Sequence, residues 1–137
     1  MSTSVKPIPE GHHTITPHLV VKNGAQAIEF YKKAFGAVEL RRFSNDDGSV
    51  HVSELEIGSA MFHLHEETPK SKQLSPETVN AVTSLIGMFV DDPHTMVKSA
   101  EAAGGRVMSP VQDYEYGYRQ GIIVDPFGHQ WLIQKKI

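Results

Sequence analysis

The sequence contains no cysteine, which excludes disulfides and thiolate zinc sites. No apolar run is long enough to span a bilayer. The opening stretch, MSTSVKPIPEGHH, lacks the apolar segment of a secretory signal, so a cytoplasmic protein is expected. A basic tract is missing too. The 13 Lys and Arg against 16 Asp and Glu leave a formal charge of -3. The doublets Lys32-Lys33, Arg41-Arg42 and Lys135-Lys136 are short and scattered, as on a solvated surface. Neither nucleic acid nor membrane is an expected partner. There is no G-x-S-x-G nucleophile elbow. Gly104-Gly105 closes a helical pattern instead of opening one, so it does not form a phosphate cradle.

What remains is a chain of 137 residues, 39% hydrophobic, enough for one domain over residues 1–137 with one core. TITPHLVV, from Thr14, is β-branched, and Pro17 places it at a sheet edge or strand start. In NGAQAIEFYKKAFG, Asn23 is a candidate cap. Ala27, Ile28, Tyr31, Ala34 and Phe35 recur at helical spacing, and Gly36 ends the helix. AVELRRFS is a strand, NDDG a turn, and VHVSELEI and AMFHLHEE are strands around Gly58-Ser59. Glycine first in a two-residue loop suits a type II′ hairpin. That loop pairs Ile57 with Ala60, Leu55 with Phe62 and Glu54 with His63.

Residues 67–83 are polar with two prolines and read as an internal linker. After them the order repeats: strand, Asp92-capped helix, and three strands. A shift of 69 residues carries Val21 onto Val90, Asn23 onto Asp92, Ile28 onto Val97, Ala34 onto Ala103 and Gly36 onto Gly105. The expected fold is α+β. Two pseudo-symmetric βαβββ units, residues 12–66 and 84–137, form a cupped mixed sheet with a concave cleft. Neither unit alone is large enough to bury its sheet, so a shared core is expected.

This arrangement resembles the vicinal oxygen chelate superfamily, which groups glyoxalase I, bleomycin-resistance proteins, fosfomycin-resistance enzymes and extradiol dioxygenases. TPHLVVKNGAQAIEFYKKAFGAVELRR and YGYRQGIIVDPFGHQWLI resemble its PhnB-like branch. Tyr118 departs from that pattern, which has an acidic residue there. The resemblance implies a homodimer that shares its clefts. It also implies four metal-ligand positions, on the first and fourth strand of each unit: Thr16, His63, Leu85 and Leu132. The 69-residue shift relates Thr16 to Leu85 and His63 to Leu132.

Leucine has no lone pair, and zinc or iron(II) takes about three or four His or carboxylate ligands. The family's usual metal site is therefore not expected, and no cofactor follows from these positions. The chain reads as a small-molecule-binding protein of the glyoxalase/bleomycin-resistance type, with an unidentified organic ligand. Its cleft is expected to be lined by Thr16, His18, Met61, His63, His65, Leu85, Phe89, Gln130 and Leu132. The alternative is a metal-dependent lyase, isomerase or dioxygenase. Strand alternation puts His18 on the face of Thr16, His65 on that of His63, and Glu54 opposite His63. Such a rearranged set would hold zinc, iron, manganese or nickel.

Other residues carry structural expectations. Arg119 is read as half of a buried ion pair with Asp113 or Glu115, with anion binding as the alternative. Trp131 faces away from Leu132, toward a helix. His129 is expected at an exposed strand mouth, and His12-His13 in a mobile lead-in.

Overall fold

The computed structural model describes residues 4–137. The first unit runs β1 (His18–Val21), α1 (Gly24–Phe35), β2 (Val38–Ser44), β3 (Val50–Ile57) and β4 (Ala60–Glu66). A helical turn, α2 (Pro76–Val79), follows. The second unit runs β5 (Leu85–Phe89), α3 (Pro93–Ala103), β6 (Arg106–Tyr114), β7 (Tyr118–Val124) and β8 (Gln130–Lys136). Each unit builds a four-stranded sheet, in the orders β1-β4-β3-β2 and β5-β8-β7-β6. The first strand of each pairs parallel to the last, and the other pairings are antiparallel. The fold is thus the expected α+β repeat. The sheets are two bodies without a shared ladder, and β1 and β5 are both edges.

The helices form where cap and periodicity agree. Asn23 accepts from the Gln26 N–H at 3.1 Å, and Gly36, at φ 69°, turns the chain out of α1. Asp92 accepts from the Thr95 N–H at 3.2 Å. The second helix ends one residue before the position matching Gly36: the left-handed cap is Gly104, at φ 119°, not Gly105. The β3–β4 hairpin has the expected register, with Gly58 at φ 56°.

The helices pack against each other, and the Ser99 hydroxyl donates to the Lys33 carbonyl at 3.0 Å. One core joins both units. Tyr31 and Phe35 of α1 meet Trp131 of β8 at ring separations of 5.5 and 4.8 Å, and Phe62 of β4 meets it at 5.7 Å. Trp131 therefore packs on a helix as expected. Each sheet turns one face to this core. Leu19, Val21, Leu55 and Leu64 are buried from the first sheet, and Ile123, Trp131 and Ile133 from the second. Alternation puts the intervening side chains on the other, open face.

Two expectations, on His129 and on Arg119, are corrected. His129 is not at an exposed mouth: it is 8% exposed, with Nε2 2.9 Å from the Val20 carbonyl. Segment 67–83, which joins the two units, carries the turn α2. Ser75 caps α2, and Glu67 accepts from the Ser75 N–H at 2.8 Å and from the Thr78 hydroxyl. Arg119 does pair with Asp113, through Nε at 2.7 Å and an Nη at 3.2 Å, but on the surface. Among the described residues, no helix is long and apolar enough to cross a membrane.

Candidate functional site

Two features stand out on the frame that the sheets provide. The first is a cavity of about 640 Å³ where the units meet. Its walls come from the lead-in (Ile15, Pro17), the hairpin and start of β4 (Ile57, Met61, Phe62), β5 (Ile86–Phe89) and the ends of both helices (Phe35, Met96), with Trp131. These groups are mostly apolar. His13, Ser59 and Asp91 add polar atoms, and His13 is tied down by Nε2 at 3.1 Å from the Ser59 carbonyl.

The second is a histidine cluster on the open face of the first sheet. Parallel pairing puts His18 beside His63, and the hairpin puts Glu54 on the other side of His63. His65 follows two residues along β4. His18, His63 and His65 each offer a ring nitrogen within 4.8 Å of the others. His12, Glu54 and His63 form a second such group. The lead-in is thus not free of the site: His12 Nε2 lies 3.4 Å from Glu54 Oε2, and its ring meets that of His63 edge-on.

The proton positions follow from the acceptors. His65 Nδ1 lies 3.0 Å from the His51 carbonyl oxygen, which can only accept. In the neutral ring Nδ1 therefore carries the hydrogen and Nε2 the lone pair. His18 Nδ1, 2.8 Å away, donates to that lone pair. His63 Nε2 is buried and has no hydrogen-bond partner. Its nearest carboxylate oxygen, Glu54 Oε2, is 3.8 Å away. Burial, then the neighbouring His18, lowers the pKa of His63 below the ordinary imidazole value, and Glu54 opposes this in part. Burial and His18 also lower that of His65. Both rings are held neutral near pH 7.

The nine residues expected along one cleft fall into separate groups within the chain. Met61 and Phe89 line the cavity. His18, His63 and His65 form the cluster. Gln130 lines a smaller recess, of about 310 Å³, beside Arg106 and Met108. Leu85 and Leu132 are on the open face of the second sheet, where β5 and β8 pair Leu85 with Gln130 and Gly87 with Leu132. Thr16 lies just before β1, half-buried. Sequence reasoning missed Ile15, Pro17, Ile86 and Met96 as cavity residues, and His12 beside Glu54. The lead-in residues meet partners more than 40 positions away, and no local pattern marks such contacts.

Two repeated βαβββ units, each with a mixed four-stranded sheet, define a glyoxalase-type fold. The chain belongs to the Glyoxalase/Bleomycin resistance protein/Dioxygenase superfamily, whose family model matches residues 11–133. It is 34% identical over 126 residues to the uncharacterized protein Mb0911c of Mycobacterium bovis, covering 90% of this chain and 83% of that one. Its fold is similar to that of TioX from Micromonospora sp. ML1, with a TM-score of 0.71 at 20% identity, covering 91% of this chain and 99% of that one. It is similar also to the PhnB protein of Bacillus cereus, with a TM-score of 0.64 at 17% identity, covering 90% and 99%.

Proposed function

We propose that this superfamily member, of the PhnB-like branch, binds a small and largely apolar organic molecule without the family's usual four-ligand metal centre. The cavity between the units carries this reading. Its volume of about 640 Å³ suits a compact organic ligand, and its wall is apolar with a few polar groups to orient the guest. Leu85 and Leu132 at two of the four usual ligand positions support it from the side of chemistry, since hydrocarbon cannot hold a divalent ion. The protein acts as a homodimer. Leu85 and Phe89, 48% and 67% exposed on the second sheet's open face, are apolar surface that a second copy would cover.

The test is a thermal-shift screen of aromatic and cationic organic compounds against the wild type and Phe89→Ala. A ligand at about 100 times its Kd adds about 2.7 kcal/mol of stability, which moves the melting temperature by several degrees. The reading requires at least one compound that stabilises the wild type and stabilises Phe89→Ala less. It fails if no compound does so, or if both proteins respond alike.

A further inference from the structure

We infer that His18, His63 and His65 form a binding site for a divalent transition-metal ion on the open face of the first sheet, with Glu54 alongside. The site is distinct from the family's usual four positions and shares only His63 with them. It does not depend on the organic-ligand proposal, because the ion alone is the probe.

Three observations converge on it. The ring nitrogens already lie within 4.8 Å of one another, brought there by the β1–β4 register and the strand alternation. A nitrogen of His63, Nε2, is buried without a partner. A buried polar atom in that state is costly, and a bound ion would satisfy it. The third is orientation. His65 donates its Nδ1 hydrogen to the His51 carbonyl, which leaves the Nε2 lone pair facing the cluster. This is the outer-shell contact that fixes a ligating imidazole.

The proton balance is simple. His18 Nδ1 now donates to His65 Nε2 at 2.8 Å. On binding, His18 moves that hydrogen to its own Nε2, and the Nδ1 lone pair replaces it. No net proton leaves a neutral ring. Three neutral ligands bring no charge. Glu54, 13% exposed and with Oε2 3.8 Å from His63 Nε2, supplies a nearby negative charge. Imidazole donors suit zinc and nickel, whereas magnesium prefers oxygen.

Isothermal titration calorimetry of the untagged protein with zinc, nickel and magnesium chlorides tests the site. The expected result is one zinc or nickel ion per chain and no heat with magnesium. His63→Ala and His65→Ala should each weaken binding by about tenfold or more. His51→Ala should leave it unchanged, because only the backbone carbonyl of His51 takes part. A His12→Ala/His13→Ala double variant should retain the one-to-one stoichiometry. Circular dichroism of each variant confirms the fold. Absence of stoichiometric zinc and nickel binding would overturn the inference. So would binding that survives His63→Ala and His65→Ala, or that is lost only when His12 and His13 are removed.

Discussion

The phenol of Tyr31 donates to Asp125 Oδ2 across 2.6 Å, tying α1 of the first unit to the β7–β8 turn of the second. The same carboxylate accepts from Trp131 Nε1 and from the N–H groups of Phe127 and His129, each at 3.0 Å. A buried carboxylate is tolerated when donors surround it in this way. Burial, then Asp125 itself, raises the Tyr31 pKa well above its ordinary value, so the phenol stays a donor. Tyr31→Phe should cost about 1.5–3 kcal/mol in urea unfolding. Asp125→Ala should cost more, because it strands four donors at once. Equal, small effects would mean that this junction does not hold the units together.

The core and the open faces should respond differently to truncation. Phe62 is 5% exposed and packs on Tyr31 and Trp131. Phe62→Ala should lower stability by about 3–5 kcal/mol. Val38 is 56% exposed, and Val38→Ala should change stability by no more than about 0.5 kcal/mol. Denaturant midpoints of the two variants check the contrast.

The histidine cluster should make stability pH-dependent. The folded pKa values of His63 and His65 lie below their unfolded ones, so the unfolded chain binds more protons in acid. Their contribution is complete above the unfolded value of about 6.5 and is lost as pH falls through the folded values. The melting temperature should therefore decline as pH falls below about 6.5. The decline should be shallower in His63→Gln. An identical slope in wild type and variant would remove His63 from the balance.

The homodimer proposal makes its own demand. Sedimentation equilibrium should give the mass of two chains, and a Leu85→Lys/Phe89→Lys variant should give one. Both side chains are exposed within the chain, so the variant should fold. A monomeric wild type would contradict the proposal.

The sequence revealed the repeat because strand, cap, helix and helix end recur at one shift, from Val21 and Asn23 to Val90 and Asp92. The Glu54–His63 pairing was legible as well, since a two-residue loop sets hairpin register. Alternation correctly put His18, His63 and His65 on one face. Alternation says which face a side chain takes, but not how two sheets are disposed. That is why Leu85 and Leu132 were expected beside His63, although within the chain they belong to the other sheet's open face. The burial of His129 depends on Val20, 109 residues away, and the place of His12 on Glu54, 42 residues away. Neither contact leaves a periodic trace in the sequence.

Methionine methyl groups offer the most direct view of the proposed ligand cavity. Met61, Met88 and Met96 line it, whereas Met108 lines the separate smaller recess. In carbon–proton spectra of methyl-labelled protein, a stabilising organic compound should shift the signals of Met61, Met88 and Met96 and leave Met108 in place. Shifts confined to Met108, or no shift at Met61, Met88 and Met96 under saturating compound, would contradict the account.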